Sequence, residues 1–265
     1  MTTIYDLNED CLGNIFKYLT IYELIEVENV CELFRDTCDV VYKSKMYHRM
    51  RLELRYMRPL FFGDIFDRIG GNLRHFEFSG GYIMDEDLKL KLINGVTNKC
   101  PKLQNLIINY IQLTKENLQN LSTCFDRLRC LDLSRCGLDE DNMSGILDGG
   151  NLRNLTTLNV IGNTMIQGNF LIHMKHLKNL DISYCFDLRH SEFIKFLQNC
   201  TKLIQLDISA CVQLLEGDII GDLLNFQPHL EKLHFQYAGI PQDDDRYLMF
   251  KSMKDFKIHG YRFGT

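Results

Sequence analysis

The side chains of this sequence with the most chemistry to offer are ten cysteines and eight histidines, and their spacing argues against catalysis. No two cysteines stand in the Cys-x-x-Cys relation that holds zinc. No pair is nearer in sequence than Cys130 and Cys136, six residues apart. His173 and His176 have helical spacing but no evident third ligand, so solvated or packed imidazoles outweigh a metal site. We expect no catalytic residue, no metal and no cofactor. What remains is a set of polar side chains recurring at a nearly constant interval: Asp132, Asp181 and Asp207, with Asn159 and His234 in the same place. Tyr110, Tyr184 and Tyr237 recur three residues further along their own copies. Side chains arranged in this way suit a binding surface rather than a reaction.

Those residues are positioned by a repeat. Leu-x-x-Leu-x-Leu appears as Leu73/Phe76/Phe78, Leu103/Leu106/Ile108, Leu128/Leu131/Leu133, Leu155/Leu158/Val160, Leu177/Leu180/Ile182, Leu203/Leu206/Ile208 and Leu230/Leu233/Phe235, with a degenerate copy at Met253/Phe256/Ile258. Start-to-start spacings are 30, 25, 27, 22, 26, 27 and 23 residues. The last two apolar positions alternate as a half-buried strand requires. Between strands, Leu88/Leu92/Ile93/Val96, Met143/Ile146/Leu147, Phe193/Ile194/Leu197 and Ile219/Ile220/Leu223/Leu224 have helical spacing. Thr114, Asp139 and Ser191 stand where helix N-caps fall. One strand and one helix per copy predict a right-handed α/β solenoid in which no unit buries its apolar face alone. The 22-residue copy at Leu155 leaves room only for a short helix or an irregular crossing between Gln167 and Met174.

Cys136, Cys185 and Cys211 each lie eight residues after the first Leu of their copy, and Asn163 takes that place in another. A small, weakly polar side chain there can pack inside a turn while its thiol or amide meets free backbone groups. Leu128-Arg-Cys-Leu131-Asp-Leu133-Ser-Arg-Cys136 and Leu203-Ile-Gln-Leu206-Asp-Ile208-Ser-Ala-Cys211 resemble cysteine-containing leucine-rich repeats, over residues 73 to about 263.

Residues 4 to 47 do not follow the repeat. Cys11/Leu12/Ile15/Phe16/Leu19 form one apolar helical stripe, and Thr20 with Glu23, then Asn29 with Glu32, offer capping boxes, so three short helices are expected. Leu7, the Ile15-Phe16-x-x-Leu19 run, Leu24 with Val27, and Val30-Cys31 before Phe34-Arg35 resemble an F-box. The family usually has Pro where Asn8 stands and Trp where Phe34 stands, so weaker adaptor binding is expected. The domains are then an F-box at 1–47, a linker and solenoid cap at 48–72, and about eight leucine-rich repeats at 73–265. The resemblance implies a non-catalytic substrate receptor of an SCF-type ubiquitin ligase. Its F-box would dock on the Skp adaptor, and through it on cullin and a RING subunit, while the repeats hold an unknown protein target. Adaptor contacts would come from Leu7, Asn8, Leu12, Ile15, Phe16, Leu19, Leu24, Val27, Val30, Cys31 and Phe34. About forty residues have too much surface for their volume to bury all of the large apolar side chains in this set, so a partner should cover some. Two alternatives stay open: the helices only cap a repeat scaffold, or the protein binds its adaptor outside a ligase.

Composition fits a protein-binding role. Of 265 residues, 45% are hydrophobic and the net charge is −5, which argues against a protein built to neutralise nucleic-acid phosphates. No apolar run is long enough for a membrane span, and Met1 to Asp10 lacks the features of a signal peptide, so reduced thiols in the cytoplasm and/or nucleus are expected. The basic stretch Lys43, Lys45, His48, Arg49, Arg51, Arg55 and Arg58 is expected to be a solvated helix face answering the acidic segment before it.

Overall fold

The computed structural model describes residues 3–149, 152–236, 246, 250, 253 and 255–257. Three helices, α1 (Glu9–Phe16), α2 (Ile21–Val27) and α3 (Glu32–Tyr42), precede the repeats. Asn8 caps α1 by accepting from the Cys11 amide at 2.9 Å, and Thr20 and Glu23 make the expected capping box on α2. The Asn29–Glu32 box does not form. Asn29 instead donates to the Ile25 carbonyl at 2.7 Å, closing α2, and α3 starts without a side-chain cap.

A parallel sheet follows in sequence order: β1 (Arg49–Glu53), β2 (His75–Ser79), β3 (Asn105–Asn109), β4 (Cys130–Asp132), β5 (Thr157–Asn159), β6 (Asn179–Asp181), β7 (Gln205–Asp207), β8 (Lys232–His234) and β9 (Asp255–Lys257). The helices α4 (Phe62–Ile69), α5 (Glu86–Asn94), α6 (Lys115–Ser122), α7 (Glu140–Gly149), α8 (His190–Asn199) and α9 (Ile219–Phe226) complete the α/β leucine-rich-repeat horseshoe. No helix of the described residues is long and apolar enough to cross a membrane.

β1 is the main departure from expectation. Residues 49–53, within the segment expected to be linker and solenoid cap, form the first strand, paired in register with β2, rather than a basic helix face. Only Leu52 of β1 is buried, so the strand has no Leu-x-x-Leu-x-Leu signature to show. Of the basic stretch's expected answer to the acidic segment before it, Arg58 supplies a part by meeting Glu26, whereas Arg51 meets Glu53 and Glu77 and Arg55 meets Glu53, from strand and loop positions rather than from one helix.

The core is the stacked Leu ladder. Leu106, Leu131, Leu158, Leu180, Leu206 and Leu233 sit opposite one another in register and are all buried. Each such side chain contributes about 1.5–3 kcal/mol, but only when the neighbouring repeat is in place. Thr114 and Asp139 cap α6 and α7 as expected. Ser191 does not cap α8, which begins one residue earlier, after Arg189, whose amide donates to the Gln167 carbonyl of the preceding repeat at 3.0 Å.

The cysteine register has a uniform role. The Cys136, Cys185 and Cys211 thiols donate to the carbonyls of Ile108, Val160 and Ile182 in the repeat before, at 3.3, 3.5 and 3.1 Å. Asn163 does more: its Nδ2 donates to Leu133 and Val160 carbonyls and its Oδ1 accepts from the Cys136 and Leu138 amides. That fully satisfied amide sits in the shortest repeat. There the crossing is only a 3-10 turn, Asn169–His173, so His173 and His176 do not share a helix, and both are exposed. The turn is held by Glu140 of the preceding repeat, whose carboxylate accepts from the amides of Gln167, Gly168 and Phe170 at 3.0, 2.9 and 3.1 Å.

Two outcomes follow. Glu140→Ala strands three amides and should lower unfolding stability by about 2 kcal/mol or more in a chemical denaturation, with Glu140→Gln recovering part of the loss. Burial pushes the thiols of Cys136 and Cys185 up to about 12. Exposed Cys11 should therefore alkylate first in the native protein, and mass spectrometry should find Cys136, Cys185 and Cys211 modified only after unfolding.

Candidate functional site

Two surfaces carry the residues singled out from sequence. The first is the helical unit. Leu12, Phe16, Leu24 and Phe34 are buried within it and form its core rather than an open docking face. Phe16 meets Phe34 edge-on at 5.2 Å, and Tyr5 stacks on the other ring at 5.6 Å. The large apolar side chains of this segment that its own packing leaves uncovered form a smaller set. Ile15 and Val30 are exposed, 44% and 54%, while Leu7, Leu19, Val27 and Cys31 are half-buried. Asn8 is exposed with its side chain engaged at the α1 cap. Tyr18, three residues after Ile15 and not among the residues singled out from sequence, is 90% exposed.

The unit is fixed to the first turn of the solenoid. Glu28, nearly inaccessible, accepts from the Tyr42 hydroxyl at 3.0 Å and pairs with Arg68 of α4 at 2.6 Å. Burial, then the Glu28 carboxylate, push the Tyr42 hydroxyl far above its usual range. The Asn72 amide donates to the Tyr42 carbonyl at 3.2 Å, and Tyr22 packs against Phe61. Neither partner of the Glu28–Arg68 pair stands out in the sequence, because the two are brought together only by packing.

The second surface is the outer face of the strands. Register places Arg51, Glu77, Ile107, Asp132, Asn159, Asp181, Asp207, His234 and Lys257 in one row. Asp132, Asn159, Asp181, Asp207 and His234 are the members singled out from sequence, and Arg51 enters with β1. The aspartates have a structural task as well: one oxygen of each accepts from the amide two residues on, Ser134 at 2.9, Ser183 at 3.1 and Ser209 at 2.9 Å, turning the chain out of the strand.

Their second oxygens differ. That of Asp132 accepts from the Asn159 amide at 2.9 Å, and that of Asp207 lies 3.1 Å from His234 Nδ1, whose Nε2 lies 3.2 Å from Asp255. Asp181 lines a cleft of about 250 Å³ with Thr157, Asn159, Asn179, Gln205, Asp207 and His234, and no Lys or Arg lines it. Burial, and then repulsion from Asp207, raise the Asp181 carboxyl to about 6. Burial also raises Asp132, against the hydrogen bonds from Ser134 and Asn159. Two close carboxylates in a cleft with neither Lys nor Arg among its described lining residues suit a hydrogen-bond-donating or cationic group. Tyr110 and Tyr184 are partly exposed at the strand ends with φ of 56° and 60°. Tyr237 lies outside the described residues. No group of three metal-ligating side chains occurs among the described residues.

No protein-family model matches the chain. F-box/LRR-repeat protein 12 of Homo sapiens is 26% identical over 140 residues, a match that covers 51% of this chain and 41% of that protein. The Bos taurus and Mus musculus counterparts match over the same extent. The match thus spans about two fifths of these relatives' length. Among solved structures, a chain of the yeast Rad7–Elc1 complex superposes with a TM-score of 0.65 at 13% identity, over 96% of this chain and 65% of the other. That likeness is one of fold. Over about half of its length the chain is thus similar in sequence to F-box/LRR-repeat proteins, and its parallel strand-and-helix repeat agrees with that similarity.

Proposed function

We propose that the chain is the substrate-recognition subunit of an SCF-type cullin–RING ubiquitin ligase, with its amino-terminal helices on the Skp adaptor and its strand face on a protein target. The observation that carries this reading is the joint between the two surfaces. A helical unit with uncovered apolar side chains is fastened to the solenoid by a buried Glu28–Arg68–Tyr42 cluster, so whatever docks on the helices is held at a set angle to the cleft. Such a receptor works by positioning. A conjugating enzyme recruited through the RING subunit would do the transfer, and no residue of this chain would touch the bond being made. The names of the sequence relatives support this reading, as does the yeast neighbour of similar fold, which was solved in complex with a second protein.

Substituting Leu12 or Phe16 would disrupt the helical core and say little about docking. Ile15→Asp with Val30→Asp changes only exposed positions. That double variant should melt like the native chain yet co-purify with Skp at least about tenfold less; equal recovery would remove the adaptor from the account.

Asp132→Asn, Asp181→Asn and Asp207→Asn together keep an acceptor oxygen for each turn while removing the charge. The triple variant should lose target capture in pull-downs and keep the adaptor, and unaltered capture would exclude the acidic face. The Asp181 carboxyl is raised on folding, so its ionisation opposes folding increasingly as pH climbs from the ordinary carboxylate range through about 6. Asp181→Asn alone should therefore melt above the native protein at about pH 7.5, with the gap narrowing as pH falls through about 6 and closing near about pH 4 in thermal scans.

A further inference from the structure

The strand ends near the amino-terminal side of the horseshoe carry a row of side chains that the fold itself does not require. Tyr110, Arg135, Gly162, Tyr184 and Ala210 occupy equivalent turns, and all have positive φ, 56°, 55°, 68°, 60° and 61°. The turns are held by backbone bonds: the Tyr110 amide donates to the Ser134 carbonyl at 3.2 Å and the Arg135 amide to the Ile161 carbonyl at 2.7 Å. Gly162 and Ala210 satisfy the same geometry, so nothing inside the turn asks for a tyrosine or an arginine. Both are disfavoured in this conformation.

Outside, these side chains join others. Tyr82 meets Tyr110 edge-on at 6.1 Å, and the Arg135 guanidinium lies over the Tyr110 ring at 5.6 Å. A Cβ on Gly162 would come within 3.0 Å of the Arg135 side chain, so the glycine leaves room for the arginine stem. Tyr82 is 61% exposed and its neighbour Ile83 is 97% exposed. The ion pairs among the described residues leave Arg135 out. The nearby acids of the strand face are already engaged: Glu77 by Arg51 at 3.3 Å, and Asp132 by Ser134 and Asn159.

We infer that Tyr82, Ile83, Tyr110 and Arg135 form a docking rim for a partner segment that sets an apolar side chain beside a carboxylate. The apolar group would rest on Tyr82, Ile83 and Tyr110, and the carboxylate would pair with Arg135, whose stacking on the ring restrains it before binding. Tyrosine and arginine are also the side chains in which binding energy concentrates at protein interfaces. The inference rests on the reading that the strand side of the solenoid receives a partner, and it names the chemistry of one end of that partner. It is separable from the Asp-to-Asn triple variant above, because neither the adaptor nor the aspartates enter its test.

The test is fluorescence anisotropy on the full chain with three short labelled peptides that share alternating Leu and Phe and differ only in carrying Glu, Gln or Lys between them. The Glu peptide should bind at least about tenfold tighter than the other two. Arg135→Gln should erase that preference, and Tyr110→Asn, which suits positive φ, should weaken binding of the Glu peptide about tenfold without lowering the melting temperature. Lys202→Gln, the same loss of charge on an exposed lysine elsewhere, should change neither. No preference for the Glu peptide, or native affinity in a folded Arg135→Gln or Tyr110→Asn variant, would overturn the inference.

Discussion

Everything in this molecule depends on one repeat completing the next. A single strand and its return crossing cannot enclose two or three leucines, and the chain leaving each strand turns with carbonyl groups pointing inward. Both demands are met by the neighbouring copy: Leu131 and Leu158 lie side by side in register, and the Cys136 thiol reaches back to the Ile108 carbonyl. The cysteines are therefore hydrogen-bonding spacers in an apolar setting, which explains why Asn163 can replace one of them. Asn163 takes over where the crossing is shortest, and its four bonds substitute for helix contacts that the repeat lacks.

The same logic gives the surfaces their character. A turn that closes on an aspartate two residues earlier places one carboxylate per repeat on the strand face, and the parallel register lines these up. Structural need thus creates a charged row, and the exceptions differentiate it. Asn159 and His234 engage their neighbours' second oxygens, Arg51 neutralises Glu77, and Asp181 beside Asp207 is left with a burial cost that no cation in the cleft offsets. The amino-terminal half of the face is electrostatically compensated, whereas the middle is not.

At the amino-terminal end, the buried Glu28 carboxylate changes what the helical segment can be. An isolated three-helix unit could swing on a linker. A carboxylate shielded from water and held by Arg68 and Tyr42 makes separation expensive, because the charge would lose its partner before regaining full hydration. The helices are thus both an end cap for the sheet and a carrier of the exposed Ile15 and Val30. Capping and docking, posed as alternatives from sequence, are compatible roles for different faces of one unit.

The sequence by itself determined the repeat, the strand centres, the cysteine register, the caps at Thr20, Thr114 and Asp139, and that Asp132, Asn159, Asp181, Asp207 and His234 share a row. All of these follow from local periodicity or from partners within a few positions. It placed Leu12, Phe16, Leu24 and Phe34 on a docking face because apolar spacing shows that a side chain wants cover without showing which body supplies it. Only the tertiary structure decided that these four are core, that 49–53 is a strand, that Glu140 holds a turn a repeat away, and that Tyr82, Tyr110 and Arg135 meet. Each of those depends on partners from about fifteen to about thirty positions away in the chain, a separation over which loop-closure entropy grows slowly and sequence pattern carries no signal.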